Sequence, residues 1–243
     1  MIYNYITDSV SNKRKLLALL IDPDKCSPPM LEQLTGILKQ HPPHILMVGG
    51  SLISKPVAPV VDYLKTKLQQ PVVLYPGSPT HLTSNVDAVL FLSMISGRNP
   101  ELLIGHHVVA APYIKQYGIE PISTGYMLID GGSPTSVEYI SQTRPIPAEK
   151  TEIAVATALA GEMLGMKIIY MDAGSGAKNP ISPKTIQAVK NALNIPLMIG
   201  GGIATMEQLS DAYHAGADLV VVGNVLEKNP ALIQRFLEAA ESH

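Results

Sequence analysis

PLMIGGGIATMEQLSDAYHAGADLVVVGN, residues 196–224, is the stretch that decides the fold. A short apolar run ends in three glycines, a helix-like segment follows between Thr205 and Gly216, and a second apolar run ends in Gly223-Asn224. Near-continuous apolar strands joined through a helix are typical of a parallel sheet that is covered by helices. The stretch therefore predicts two consecutive units, each a strand followed by a turn and a helix.

The same unit recurs along the whole chain. Apolar runs bounded by Gly, Pro or Asp predict eight strands, at 15–22, 44–50, 71–76, 87–94, 121–130, 167–173, 196–201 and 219–224. Helical patterns are clearest at 27–40, 148–165 and 205–215. Eight units close a barrel, so we predict an α/β fold of the (β/α)₈ TIM-barrel type. An open doubly wound sheet is the alternative, but no strand is followed by the G-x-G-x-x-G turn typical of that fold.

The third unit departs from this pattern. Only residues 78–86 separate the third and fourth strands, and Gly77, Pro79 and Asn85 disfavour a full helix there. We therefore expect a modified third helical unit and a thin or open barrel wall. The candidate lining of a groove at this point is Val57, Leu90, Leu92 and Met94, although core packing is the interpretation we favour for most of them.

Composition sets the broad class. The 243 residues, 46% of them hydrophobic, fit one domain over 1–243 with a single large core. The net charge of −2 supplies no field for binding nucleic acid or an anionic membrane surface. Cys26 is the only cysteine, so no intrachain disulfide is possible, and no run approaches the roughly 20 apolar residues of a membrane-spanning helix. We expect a cytoplasmic protein without a transmembrane segment.

Two glycine turns predict an anion site. Residues 200–202 follow the seventh strand and Gly223-Asn224 follow the eighth, which are the strand ends that form the usual phosphate site of such barrels. Bare backbone N–H groups at these turns can converge on a phosphate. A single glycine turn would more simply bend the chain, but two at these positions favour phosphate binding.

The end of the sixth strand adds polar groups beside that site. Residues 170–176, YMDAGSG, supply a carboxylate, a hydroxyl and flexible backbone, which suit a small phosphorylated polyol. Asp172 is a candidate to accept a proton from a substrate hydroxyl, and capping of the following turn is an equal alternative.

The ends of the first two strands supply oxygen ligands. Asp22 opens the sequence DPDK after the first strand, and Ser51 follows two glycines after the second. Carboxylate and hydroxyl oxygens suit a loosely held Mg²⁺, whereas turn capping is the alternative for each. The seven histidines lack zinc-ligand spacing, and we expect capping or solvated roles for His44 and His81.

These segments together resemble one family. The matching motifs are LLIDPDK (19–25), VGGS (48–51), YPGS (75–78), TGYMLIDGG (124–132), YMDAGSGA (170–177), IGGGI (199–203) and VVGN (221–224). In this order, over about residues 15–228, they are similar to the geranylgeranylglyceryl phosphate synthase family and its bacterial relatives. That family joins a Mg²⁺-bound polyprenyl diphosphate, geranylgeranyl diphosphate above all, to sn-glycerol 1-phosphate by an ether bond and releases diphosphate.

The resemblance implies roles for individual residues. It makes Asp22 and Ser51 magnesium ligands, Asp172 the acceptor of the hydroxyl proton, and Tyr126 a pocket-lining tyrosine. It gives to glycerol phosphate the residues Tyr170, Met171, Asp172, Ala173, Gly174, Ser175, Gly201, Gly202, Gly223 and Asn224. One branch of the family has Lys where this chain has Leu20, so the resemblance is to the other branch, which often forms hexamers.

Two further expectations concern partners. We expect a homo-oligomer, dimer or hexamer, with the apolar 101–114 segment and Tyr139 at the contacts, and a lipid product that passes to the membrane. A phosphosugar aldolase or isomerase is a competing hypothesis, but Schiff-base chemistry needs a lysine near the C-terminal end of a strand. Lys15 and Lys167 lie at the N-terminal ends of their predicted strands, and the other predicted strands contain no lysine. A noncatalytic barrel that binds a phosphorylated metabolite is the third.

Overall fold

The strands form a closed parallel barrel. The computed structural model describes residues 1–224 and 229–243. Neighbouring strands pair in chain order, and the last pairs with the first. They are β1 (Leu16–Ile21), β2 (Ile45–Gly50), β3 (Val72–Pro76), β4 (Ala88–Met94), β5 (Glu120–Leu128), β6 (Ile168–Asp172), β7 (Leu197–Gly200) and β8 (Leu219–Val222). The predicted (β/α)₈ fold is confirmed, and each predicted strand forms within two residues of its expected bounds.

Helices surround this barrel. They are α1 (Ile2–Ser11), α2 (Pro28–Gln40), α3 (Ala58–Lys67), α4 (His106–Tyr117), α5 (Ser136–Ser141), α6 (Thr151–Met163), α7 (Pro183–Ala192), α8 (Met206–His214) and α9 (Ile233–Glu241). The side chains of Ser27, Ser182 and Thr205 cap the first turns of α2, α7 and α8, where N–H groups lack helical partners. All three predicted helices form, with slightly shorter ends.

The third unit is modified, as predicted. A single 3-10 turn, Pro79–His81, is the regular structure between β3 and β4. Gly77 precedes it, and a methyl group built on Gly77 would lie 2.5 Å from the carbonyl oxygen of Gly50 and 2.6 Å from that of Ser51. The loop after β3 therefore packs directly on the loop after β2.

The N-terminal helix α1 was not among the predicted elements. Its Ile6 is buried with the interior side chains of the barrel, and the Glu120 carboxylate accepts hydrogen bonds from the backbone N–H groups of Ile2 and Tyr3. Glu120 opens β5, and the Lys167 ammonium before β6 lies 5.0 Å from the Tyr3 ring centroid. Helix α1 thus closes the N-terminal end of the barrel, so the site has to form at the other end.

Burial divides each strand between two layers. Alternate side chains of β6 show this, because Tyr170 packs in the barrel interior whereas Met171 packs between the barrel and the helices. Within the described ranges, no helix is long and apolar enough to cross a membrane.

Candidate active site

Asp172 lies at the centre of the barrel mouth, at the end of β6. Its side chain is 7% exposed. The Tyr126 hydroxyl donates to Oδ2 at 2.6 Å, the Tyr75 hydroxyl reaches the same oxygen at 3.4 Å, and the backbone N–H of Gly174 donates to Oδ1 at 2.8 Å. Burial raises the pKa of the Asp172 carboxyl, and these three hydrogen bonds oppose that rise. The predicted alternative of turn capping is confirmed by the bond from Gly174, and the predicted role as a proton acceptor stays a prediction.

Three tyrosines surround Asp172. Tyr75, Tyr126 and Tyr170 are buried, and burial followed by the Asp172 charge raises the pKa of each phenol well above its ordinary value. They remain protonated, so Tyr75 and Tyr126 act as hydrogen-bond donors to the carboxylate. The Tyr126 and Tyr170 rings meet edge to face at 5.3 Å. Tyr75 was not among the predicted site residues, although it opens the YPGS motif.

The glycines after β7 bring two loops together. Gly201 and Gly202 have φ angles of 77° and 73°, which favour glycine. A methyl group on Gly201 would lie 2.6 Å from Asp172 Oδ1 and from the backbone nitrogens of Ala173 and Gly174. One on Gly202 would lie 2.6 Å from the carbonyl oxygen of Asn179. The absence of side chains lets the backbone after β7 lie against the backbone after β6. Phosphate binding at these turns stays a prediction.

A hydrogen-bonded chain crosses the mouth from β6 to β1. Asn224 Nδ2 donates to Ser175 Oγ at 3.0 Å, and Lys25 Nζ donates to Asn224 Oδ1 at 2.9 Å. The same Nζ lies 3.3 Å from Asp22 Oδ2. Predicted phosphate-binding and metal-binding residues are therefore joined through Lys25, a residue that carried no predicted role.

Not every predicted residue offers its side chain to the site. The side chains of Met171 and Ala173 pack between the barrel and the helices, so any contact with a ligand at the mouth would use their backbone. Gly223 lies against β1, because a methyl group on it would lie 3.2 Å from the carbonyl oxygen of Leu20.

The predicted metal ligands follow adjacent strands. Asp22 caps the 3-10 turn Pro23–Lys25 by accepting from the N–H of Asp24 at 3.0 Å. A methyl group on Gly50 would lie 3.9 Å from Asp22 Oδ2, so the β2 end that leads to Ser51 lies beside this carboxylate. The Asp24 carboxylate holds the loop after Ser51 by accepting from the N–H groups of Ser54 and Lys55, and these bonds lower its pKa.

The two predicted metal ligands suit a hard cation whose remaining oxygen ligands come from other groups. Among the described residues, no three His, Cys, Asp or Glu side chains are close enough together to hold a metal. Asp22 and Ser51 supply one carboxylate and one hydroxyl, which fits Mg²⁺ completed by phosphate oxygens and water. The predicted alternative also holds for Asp22, since it caps a turn. His44 Nδ1 accepts the N–H of Leu17 in β1, and His81 Nδ1 accepts the N–H of Gly77 in the turn after β3, so each imidazole bonds to the backbone.

An apolar cavity opens beside the polar mouth. Its volume is about 260 Å³, and it lies at the thin third unit between β4 and α4. Leu90, Leu92 and Met94 line it, as the groove hypothesis proposed. Core packing is also confirmed for most of the four candidates, since Val57, Leu90 and Met94 belong to the buried hydrophobic core. Further lining comes from Tyr75, Pro79, Leu82, Phe91, Leu102, His107, Ala110, Ile114 and Tyr126.

Burial favours the neutral form of one histidine of the cavity wall, His107. Burial lowers the pKa of His107, whose Nε2 lies 3.1 Å from Ser93 Oγ and whose ring meets that of Phe91 edge to face at 4.4 Å. Tyr75 and Tyr126 line the cavity and also bind Asp172, so the apolar cavity and the polar mouth meet at these two phenols.

The sequence profile of the PcrB family matches residues 9–240. The chain belongs to the PcrB family. Its relatives include the geranylgeranylglyceryl phosphate synthase of Chitinophaga pinensis, 48% identical over 99% of this chain and 96% of the relative. That of Thermococcus kodakarensis is 39% identical over 89% of this chain and 86% of the relative. Members of the PcrB family from bacteria and archaea thus share most of this chain's length.

A solved structure matches the whole barrel. The (S)-3-O-geranylgeranylglyceryl phosphate synthase of Thermoplasma acidophilum, in complex with its substrate sn-glycerol-1-phosphate, superposes with a TM-score of 0.93 at 26% identity. The match covers 100% of this chain and 99% of that chain. The family resemblance seen in the sequence motifs is confirmed by these comparisons.

Proposed function

We propose that this protein is a prenyltransferase that joins a polyprenyl diphosphate, geranylgeranyl diphosphate in the first instance, to sn-glycerol 1-phosphate through an ether bond. The observation that carries the proposal is the meeting of a glycine-lined polar mouth and an apolar cavity at Asp172. One side suits a small phosphorylated polyol and the other a hydrocarbon tail. The names of the relatives support the same reaction, and the Thermoplasma acidophilum enzyme has glycerol phosphate as its substrate.

The acceptor binds on the side of β6, β7 and β8. Backbone N–H groups around Gly201, Gly202 and Gly223 receive its phosphate, since glycine turns at the ends of β7 and β8 carry no side chains of their own. Ser175 and Asn224 add a hydroxyl and an amide. This arrangement directs the free hydroxyl of the acceptor toward Asp172.

The donor binds on the side of β1 to β4. Its hydrocarbon tail occupies the cavity between β4 and α4, where burial of each CH₂ group contributes about 0.8 kcal/mol. Its diphosphate lies near Asp22 and Ser51, which would hold Mg²⁺. The cation, when bound, neutralises the charge that develops on the departing diphosphate.

Asp172 takes the proton of the attacking hydroxyl. The hydroxyl oxygen forms a bond to C1 of the prenyl group, the bond from C1 to the diphosphate oxygen breaks, and the hydroxyl proton passes to the carboxylate. A raised pKa makes Asp172 a better base than an exposed aspartate, and the donors Tyr126 and Gly174 fix its orientation. Tyr75 and Tyr126 separate this carboxylate from the apolar cavity.

We also propose that the protein is a homo-oligomer. The outer surface of α4 and the segment before it exposes Ile104, Val108, Val109, Tyr113 and Tyr117, and on α5 the Tyr139 side chain is 84% exposed. Contiguous apolar surface of this kind marks an interface. Light scattering should find a mass above the 26.0 kDa of one chain, and a monomer at micromolar concentration would contradict the proposal.

The aldolase alternative finds no support at the described strand ends. Lys15 donates to the carbonyl oxygen of Ala217 and Lys167 lies over the Tyr3 ring, both at the closed N-terminal end of the barrel. Schiff-base chemistry at the mouth would need a lysine there inside a strand.

The test of the proposed function is product identification. The purified chain is incubated with glycerol 1-phosphate, Mg²⁺ and prenyl diphosphates of increasing length, and the lipid is identified by mass spectrometry together with released diphosphate. We expect a prenyl ether of glycerol phosphate and an equal amount of diphosphate. Tight binding of glycerol phosphate without any turnover would instead support a noncatalytic barrel.

A further inference from the structure

Lys25 occupies the boundary between the two anion sites of the mouth. It belongs to the 3-10 turn after β1, and its side chain is 45% exposed. Its Nζ lies 3.3 Å from Asp22 Oδ2 on the donor side and donates to Asn224 Oδ1 at 2.9 Å on the acceptor side. A single ammonium group therefore contacts a proposed metal ligand and a proposed phosphate-binding residue.

Asn224 links Lys25 to Ser175. Its amide nitrogen lies 3.0 Å and its amide oxygen 3.2 Å from Ser175 Oγ, and the same amide oxygen accepts from Lys25 Nζ at 2.9 Å. Ser175 follows β6 and Asn224 follows β8, and both lie at the rim of the glycine turns that receive the phosphate in the proposed function. At the edge of the phosphate site, the Lys25 ammonium therefore contacts a neutral acceptor, Asn224, in addition to the Asp22 carboxylate.

A phosphate group is a stronger partner for an ammonium than an amide oxygen is. Charge-assisted hydrogen bonds are about twice as strong as those with a neutral partner, and lysine offers three N–H donors that swing on a flexible stem. Binding of Mg²⁺ to Asp22 would also weaken the hold of that carboxylate on Lys25, because two cations would then share one charge. Both effects favour movement of the ammonium toward a phosphate at Asn224.

We propose that Lys25 is a binding residue for the phosphate of the acceptor. The inference rests on the proposed function, since it takes the glycine turns as the acceptor's phosphate site. It adds a direct positive charge to a site that was predicted from backbone N–H groups alone. Lys25 also reduces the repulsion between the acceptor phosphate and the donor diphosphate, which the reaction brings to adjacent sites.

The test is calorimetric titration of the full-length protein, without donor or Mg²⁺, using glycerol 1-phosphate and separately inorganic phosphate. Lys25→Met and Lys25→Gln are compared with wild type, because Gln keeps a donor toward Asn224 but removes the charge. Lys178→Met is the matched control, since Lys178 is an exposed lysine of the loop after β6.

We expect both Lys25 variants to bind both ligands about 10-fold more weakly or worse, as the loss of a charged hydrogen bond implies, while Lys178→Met changes each affinity less than about twofold. Thermal melting is recorded for each variant. A folded Lys25→Met protein that binds glycerol 1-phosphate as well as wild type overturns this inference alone. A loss of affinity in the Lys25 variants that is confined to glycerol 1-phosphate also overturns it. So does a Lys25→Gln protein that binds both ligands as well as wild type. A folded wild-type protein that binds neither ligand overturns the proposed acceptor site and this inference together.

Discussion

The two halves of the barrel mouth differ in what their strands contribute. After β6, β7 and β8 the chain presents backbone, because Gly201 and Gly202 leave no side chain between the loops. On β4 it presents side chains, since Leu90, Leu92 and Met94 line a cavity of about 260 Å³. A phosphorylated polyol needs many polar contacts in a small space, whereas a hydrocarbon tail needs apolar surface.

The reaction is expected at the boundary between the two halves of the mouth. Asp172 comes from the polar half, and its strongest hydrogen bond comes from Tyr126, which also lines the apolar cavity. A carboxylate in this position can reach an acceptor hydroxyl while remaining shielded from water. Variants in each half should therefore affect different substrates, and variants of Asp172 should affect the chemical step.

The largest expected effect is that of Asp172→Asn. Removal of the base should lower kcat by about 10²- to 10⁴-fold, with the affinity for both substrates nearly unchanged. Steady-state kinetics at saturating Mg²⁺ measure this. Tyr126→Phe, which removes only the 2.6 Å hydrogen bond, should cause a smaller loss. A full-rate Asp172→Asn enzyme would assign the residue to turn capping alone.

The pH dependence of kcat sharpens the same assignment. Burial raises the pKa of Asp172, so the carboxylate takes up its proton at a higher pH than an exposed aspartate does. Activity should be present above this raised pKa and fall as the pH decreases through it. The acid limb should be absent from the residual activity of Asp172→Asn, and an unchanged limb would place the titrating base elsewhere.

Gly201→Ala tests the polar half of the mouth. The methyl group would lie 2.6 Å from two backbone nitrogens of the β6 loop, and displacement of that loop should lower kcat/KM for glycerol 1-phosphate by about 10²-fold. Gly165→Ala is the control, because Gly165 also has a positive φ, 86°, but no atom within 4 Å of the added methyl group. Equal losses in the two variants would show that backbone strain, not the phosphate site, is responsible.

Ala110→Phe tests the apolar half of the mouth. Ala110 faces the cavity from α4, so the added ring should lower kcat/KM for a twenty-carbon donor by about 10-fold and for shorter donors by less. Ala156→Phe places the same ring on the exposed side of α6, away from the cavity and from the proposed contact segment, and should have little effect. Equal sensitivity of donors of every length would contradict the placement of the tail.

The smallest expected effect is that of Asp22→Asn at high Mg²⁺. Loss of one charged ligand should weaken apparent Mg²⁺ affinity by roughly 10-fold, the lower end of losses at altered metal sites, and excess Mg²⁺ should restore part of the rate. Titration of Mg²⁺ at fixed donor concentration measures this. Rescue of Asp172→Asn but not of Asp22→Asn would reverse the roles of the two carboxylates.

Much of this arrangement could be predicted from the sequence because the strands are short apolar runs that end in Gly or Asp. In a parallel barrel the C-terminal ends of all strands lie at the mouth, irrespective of where the helices pack. Asp172, Gly201 and Asn224 could therefore be assigned to one site. The contacts between residues that are distant in the sequence could not be predicted. Tyr75 reaches Asp172 from β3, 97 positions away, and Lys25 reaches Asn224 across the junction of β8 with β1.

Side-chain direction was the other unpredictable quantity. Met171 and Asp172 are adjacent in one motif, yet the pleat of β6 turns one to the helices and the other to the mouth. Helix α1 begins the chain without a capping side chain and is held by Glu120, 118 positions from Ile2. No local pattern identifies that partner.

A crystal structure with glycerol 1-phosphate, Mg²⁺ and a non-hydrolysable thio-diphosphate prenyl analogue tests the division of the mouth most directly. We expect the acceptor phosphate to bind at Gly201, Gly202 and Asn224, and the prenyl tail to lie between β4 and α4. The acceptor hydroxyl should lie between Asp172 and C1 of the prenyl group. A tail that lies outside the cavity lined by Leu90 and Ala110, or a phosphate bound away from the glycine turns, would contradict it.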